Sequence, residues 1–340
     1  MIAPVVAVRL AMARIDALVA KETGRDAAVV AELDRKADAE FKGLAPLGWR
    51  AAAPLGEAAA DKTRAPKTRF FAVVFLGELH DVAAFEPLSR VLLDEGADPE
   101  ARLSAAQGVA ALDAPPEAER KVLCAAVAQP ELPRPVLDES LIALTRLGCP
   151  EPAPLERAAR LFGPRPADAD LADARRALQA LAKTRGEEPV RRLLVLSVYF
   201  PSGTPARAAA IDALAARQAD LVSALAPQAL SVVRGLLRAE TADPATMLTL
   251  IRLADAFGPE ADEMLVPLAS HPDAEVLAAA AEALARRKAV AALPALEAVL
   301  AHPLDDPRFG PKPGRPDPAA LLARIEAATA VLRRARSALK

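Results

Sequence analysis

Histidines, cysteines and clustered cations are the side chains of this chain that could bind or transform a ligand, and their spacing limits what they could do. The three histidines are His80, His271 and His302. His271 and His302 each precede a proline, in Ser-His-Pro-Asp and Ala-His-Pro-Leu-Asp-Asp, so a metal completed by Asp273, Asp305 or Asp306 is the chemistry to weigh. The two fall in equivalent turns of adjacent repeats. Packed helices lie about 8–10 Å apart, too far for two imidazoles to share one ion unaided. They read as turn and cap residues, and no metal is expected. His80 ends a helical segment, where a cation suits the helix dipole.

Three groups of cations could hold an anion. Lys62, Arg64, Lys67 and Arg69 form the densest basic run, in a turn before a helix, where free N–H groups would add to their charge. Arg102 and Arg207 occupy equivalent places in two repeats. They could each pair with an acidic residue of a neighbouring turn to form a ladder, or face a ligand directly. Arg308, Phe309, Lys312 and Arg315 sit among prolines and glycines in a long insertion, where an aromatic among cations could be a docking element and an inert proline-rich spacer is the alternative. The two cysteines, Cys124 and Cys149, read as buried free thiols, with a disulfide between them as the alternative. The motifs GxGxxG, GxxxxGK[ST], GxSxG, HExxH and CxxC do not occur, so no catalytic residue and no cofactor is expected.

The elements that must carry these residues are helices. Hydrophobic residues make up 53% of the 340-residue chain but aromatics only 3%, so the apolar content is Ala, Leu and Val, which suits closely packed helices. The pair Ala143-Leu144 recurs as Ala213-Leu214 and as Ala283-Leu284, steps of 70 residues, or two periods of about 35. Prolines fall in two phases. Asp98-Pro99, Thr204-Pro205, Asp243-Pro244 and Asp317-Pro318 place a capping oxygen before a proline at the first helical position. Pro54, Pro87, Pro154, Pro189, Pro227, Pro267 and Pro294 lie inside or near the start of the preceding helix and should bend it. These phases give hairpins at 45–79, 82–113, 115–148, 151–184, 187–217, 220–257, 259–288 and 289–338. Residues 1–44 form an N-terminal helical cap or degenerate repeat. Residues 45–340 form the array, with the Pro-rich loop 303–318 inside its last hairpin.

Three second helices superpose by sequence: DPEARLSAAQGV from Asp98, GTPARAAAIDAL from Gly203 and DAEVLAAAAEAL from Asp273. Small residues fill the seventh and eighth places and an apolar residue the twelfth. The pattern resembles the HEAT-repeat superfamily, and most of all the short HEAT-like repeats first named from phycobilisome lyases. In that family the fifth place is commonly arginine; Arg102 and Arg207 match it and Leu277 departs. The resemblance implies an all-α solenoid of about eight stacked helical hairpins, with second helices lining the concave contact face.

The fold class alone does not define a function. With 43 basic against 45 acidic residues and a formal net charge of -2, no global basic excess favours nucleic acid. The expectation is a non-enzymatic scaffold holding a partner protein or peptide on the second-helix face. A HEAT-like DNA-binding enzyme of the base-excision glycosylase type is the alternative, and a chromophore-lyase-like protein a weaker one. No run of 18 uncharged apolar residues and no basic leader occur, so a cytoplasmic protein without a membrane span is expected; a chain whose leader had been removed would read the same way.

Overall fold

A computed structural model of the chain describes residues 3–21, 27–161, 167–239, 243–303, 306–310 and 316–339. Helix takes up 82% of these residues, no strand occurs among them, and the helices pack in neighbouring pairs as an all-α solenoid does. The chain divides into two compact units, Met1–Ala158 and Ala159–Lys340.

In unit 1, α1 (Pro4–Val19) and α2 (Ala27–Leu44) form the first pair. Three hairpins follow: α3 (Ala52–Ala60) with α4 (Pro66–Glu78), α5 (Phe85–Leu93) with α6 (Pro99–Ala111), and α7 (Pro116–Val127) with α8 (Arg134–Leu147). First helices pack on first helices, α3 on α5 on α7, and second on second, α4 on α6 on α8. The boundary between the units falls inside α9 (Pro152–Leu161).

Unit 2 contains α10 (Asp168–Lys183), then α11 (Glu187–Tyr199) with α12 (Pro205–Ala215) and α13 (Gln218–Ala239) with α14 (Pro244–Asp255). The short α15 (Asp262–Leu265) precedes α16 (Ala274–Arg286), and α17 (Leu293–Ala301) pairs with α18 (Pro318–Ala338). Its second helices pack in sequence: α10, α12, α14, α16 and α18. By length and composition α13 could cross a membrane, at mean hydropathy 1.2. It nevertheless carries Asp220, Arg234 and Arg238, breaks at Leu225 ahead of Pro227, and buries Leu221, Val233 and Leu236 inside the unit.

The two proline phases have separate structural roles. At helix starts the capping oxygens are engaged: Asp98 accepts from the N–H groups of Glu100 and Ala101, Thr204 from Arg207, Asp243 from Ala245 and Thr246, and Asp317 from Ala319. In the first helices, a 3-10 turn meets the α-helix just before the proline. Ala45–Ala51 leads into α3 and Pro54, Val82–Ala84 into α5 and Pro87, and Val290–Ala292 into α17 and Pro294. Proline has no N–H for the i−4 carbonyl, so the tighter turn ends where the ring begins.

The repeat register is visible in burial. Ala105, Ala210 and Ala280 at the eighth place, and Val109, Leu214 and Leu284 at the twelfth, are all fully buried. Small residues also set the helix spacing. A Cβ added at Gly108 on α6 would stand 2.8 Å from a Leu88 methyl and 3.5 Å from the Gly77 Cα of α4, so glycine lets these two backbones meet.

Candidate binding surfaces

Arg102 and Arg207 each reach back to a carbonyl at the end of a first helix. Both are buried, at 2% and 7% exposure. Arg102 Nε donates to the Leu92 carbonyl at 3.1 Å, and its Nη2 donates to the Gln129 side-chain oxygen. Arg207 Nε donates to the Ser197 carbonyl at 2.9 Å. In each case the acceptor lies 10 residues earlier, in the last turn of the first helix of the same hairpin. The physical reason is that helix C-termini carry unsatisfied carbonyls and negative dipole ends, and a planar guanidinium satisfies several at once. Burial lowers the Arg102 pKa, and Glu95 and Asp94 oppose that through space. Acidic residues thus influence Arg102 without touching it.

The same device recurs between hairpins, at arginines the sequence reading did not single out. Arg157 on α9 donates to the carbonyls of Val127, Ala128 and Gln129 at the end of α7, at 3.1, 2.6 and 2.8 Å. Arg217 covers the end of α10 through Ala182, Thr184 and Gly186. Where Leu277 replaces the repeat arginine, Arg308 from the following loop donates to the His271 carbonyl at 3.2 Å.

That contact changes the reading of the Pro-rich loop. Phe309 is only 7% exposed and lies in the core, and Arg308 is held by Asp306 at 2.6 Å. The described part of the loop is therefore fastened to its own unit, and Phe309 is not an exposed docking aromatic. An aromatic beside prolines gains more from burial against a helix pair than from water. Lys312 and Arg315 lie outside the described residues. The Arg308 hydrogen bond lowers the Asp306 pKa. A carboxyl with a depressed folded pKa stabilises fully above its unfolded pKa of about 4 and loses that contribution as pH falls through the folded value. Asp306→Asn should therefore cost about 1–2 kcal/mol near neutrality, and thermal melts of the two proteins should converge below pH 4. A gap that stayed constant as the pH fell from 4 towards the lowest pH at which both proteins fold would mean that Asp306 acts by shape alone.

The basic run divides in two. Arg64 pairs with Asp16 of α1 and with Asp61 at 3.2 Å, and Lys67 stands 3.8 Å from Asp34 of α2 and over the Phe70 and Phe71 rings. These two fasten the first helix pair to the array. Lys62 and Arg69 instead line a cavity of about 300 Å³ with Arg90, Asp94 and Asp98.

Other residues bear on chemistry less. Cys124 and Cys149 are bonded to each other, with Cα atoms 5.5 Å apart, so they are not free thiols. The α8–α9 turn brings Cys149 onto α7 at a separation suited to a disulfide, a juxtaposition that sequence spacing could not reveal. His271 Nδ1 accepts the Asp273 N–H at 3.0 Å, as a turn and cap residue does. Among the described residues no group of three or more His, Cys, Asp or Glu could hold a metal ion. Trp49 and Tyr199 are 61% and 47% exposed, with Arg50 and Arg160 over their rings. The arginines cover π-faces that lack a helix neighbour.

Grooves lie along the second helices of unit 2. A groove of about 510 Å³ runs between α16 and α18, lined by Ala285, Ala323, Ala327 and Val331 and crossed by the paired Glu282 and Arg324 at 2.6 and 2.9 Å. A second, also about 510 Å³, shares Val331 and continues past Lys288, Arg334 and Ala338. A third, about 390 Å³, lies between α10 and α12 beside Arg175, Ala209 and Asp212.

Comparison with known proteins adds little to this. No family model matches the chain, and no curated protein does. Among solved structures, human deoxyhypusine hydroxylase in complex with glycerol is 19% identical, covers 96% of this chain and 98% of its own, and has a TM-score of 0.28. A computationally designed self-assembling cyclic homooligomer is 14% identical, with 98% and 95% coverage and a TM-score of 0.13. Superposition at that level carries no argument about this molecule. The class rests on its own helices: it is an all-α protein whose helices pack in neighbouring pairs, as in a solenoid.

Proposed function

We propose that this protein is a non-catalytic interaction scaffold whose repeats are of the short HEAT-like type named from phycobilisome lyases. Its partner is a protein segment with an apolar stripe and acidic flanks, laid along the second helices of unit 2. The observation that supports this is the pair of grooves sharing Val331. Their floor is mostly alanine and valine; at the rims Arg324 is paired with Glu282 and Arg286 with Asp255, while Lys288 and Arg334 form no ion pair among the described residues. Alanine floors admit a partner's larger side chains, and an excess of rim cations selects acidic flanks.

The experiment is a pull-down from native lysate at two salt concentrations, comparing wild type with Ala327→Glu, read by mass spectrometry with nucleic acid quantified. Ala327 is exposed, so the substitution leaves the fold intact. A stoichiometric protein kept by wild type at the higher salt and lost by the variant is the expected result. Identical recoveries from both proteins overturn the assignment, as does nucleic acid recovered at low salt in place of protein.

A further inference from the structure

The first helix of unit 1, α1, is apolar on two opposite sides. Val8, Ala11, Met12 and Ile15 are buried on the side that packs on α2, α3 and α4. Val6, Leu10, Ala13 and Ala17 follow one another at steps of four, three and four residues, which puts them in one stripe on the other side. That stripe faces solvent, with Val6 47% and Leu10 48% exposed. A surface helix carries polar residues there, and a helix that is apolar all round is a buried one. Charge is confined to the flanks, Arg9 and Asp16 on one and Arg14 on the other. Arg14 is held by Glu40 of α2 and Asp16 by Arg64, whereas Arg9 forms no ion pair among the described residues.

We propose that this stripe is covered by a second copy of the chain, the two α1 helices lying antiparallel about a two-fold axis. The stripe tapers from Val6 and Leu10 to Ala13 and Ala17. In the antiparallel pair Leu10 of each copy faces Ala13 of the other and Val6 faces Ala17, so every large side chain meets a small one. A parallel pair sets Leu10 on Leu10 and leaves Ala13 on Ala13, crowded at one place and gapped at the next. The flanks fit the same register. The two-fold axis brings like flanks together, and Arg9 of one copy then comes within about 3 Å, along the helix axis, of Asp16 of the other. Arg9 gains there the carboxylate that its own chain does not give it. An anionic membrane is less suited to this face, because the cations of α2 are already engaged: Arg35 and Lys36 pair with Glu32, and Lys42 with Asp38. Size sets the strength. A helix of 16 residues is about 24 Å long, and one helix-on-helix contact of that length falls at the low end of specific interfaces, which makes the dimer a weak, reversible one.

The test is sedimentation velocity on the purified full chain from about 1 to about 100 µM, with pelleting on vesicles of anionic phospholipid run alongside. Wild type should pass from monomer to dimer across that range and stay off the vesicles. Leu10→Glu should weaken the dimer by about ten-fold or more, since it sets a charge in the seam. Leu10→Ala leaves a gap and Ala13→Leu sets leucine on leucine, and each should weaken it by about five-fold. The double variant Leu10→Ala/Ala13→Leu exchanges the two sizes and should return to within about three-fold of wild type. Both positions face solvent in the single chain, so all four variants should keep the wild-type circular dichroism. A monomer at every concentration, a dimer indifferent to Leu10→Glu, a double variant no tighter than its singles, or wild type carried down with the vesicles would each overturn the proposal. Only the purified chain enters these runs and α1 belongs to unit 1, so none of the results bears on whether the unit 2 grooves hold a partner.

Discussion

Arg102→Met should lower the stability of unit 1 by about 2–4 kcal/mol, the range for removing one member of a buried charged hydrogen-bond group. The loss has three parts. The Leu92 carbonyl loses its donor at 3.1 Å. The Gln129 side chain, which itself donates to the Leu93 carbonyl at 2.9 Å, loses the group that orients it. The carbonyl end of α5 then keeps its partial negative charge beside Asp94 and Glu95 with one buried cation fewer to offset it. Urea denaturation followed by circular dichroism measures the change. Arg102→Lys should recover less than half, since an ammonium lacks the planar fork that reaches a carbonyl and an amide together. Arg207→Met should behave alike in unit 2. A loss below about 1 kcal/mol would place Arg102 among ordinary surface-like substitutions and remove its capping role.

Reduction of the Cys124–Cys149 bond should cost about 3 kcal/mol, from the chain entropy regained when a closed loop of this length opens. The sequence separation is 25 residues, and the loop includes α8 and the turn that follows it. Denaturation with and without a phosphine reductant reads the effect, and a Cys124→Ala/Cys149→Ala protein should match the reduced form. Thiol titration of the protein isolated without reductant should find no free sulfhydryl; two would return both cysteines to the buried thiols their apolar surroundings suggest. Disulfides persist in oxidising compartments, so the same titration also bears on the cytoplasmic location expected from the sequence.

What the sequence made legible was local. Asp98, Thr204, Asp243 and Asp317 precede prolines, and a cap needs nothing beyond four consecutive residues to be recognised. The eighth-place alanines are buried because the repeat places them against the same neighbour each time. The misreadings share a different character. A carboxylate partner for Arg102 follows from charge alone, whereas its acceptors are the Leu92 carbonyl and the Gln129 side-chain oxygen, neither of which carries a charge that the sequence would mark. Phe309 sits in a stretch whose composition reads as a loop, and only the fold brings that loop back onto its own unit. The cavity beside Arg69 gathers residues from two stretches, 56–69 and 87–101, that only the packing of four helices brings together.

The arginines that close helix ends are of two kinds, and the difference governs how such a chain can grow. Arg102 and Arg207 serve a helix within their own hairpin, so a segment such as 82–113 or 187–217 copied elsewhere in the gene would arrive with that arginine included, although in 82–113 the Leu93 carbonyl still depends on Gln129 of the next hairpin. Arg157, Arg217 and Arg308 serve a helix of the hairpin before them. A copy of that earlier hairpin placed at the end of the array would be born with an open terminus until its new neighbour acquired an arginine. Duplication is therefore cheap at some seams and constrained at others, and Leu277, with Arg308 reaching back to the turn it leaves uncovered, marks a seam where closure has passed from one hairpin to the next.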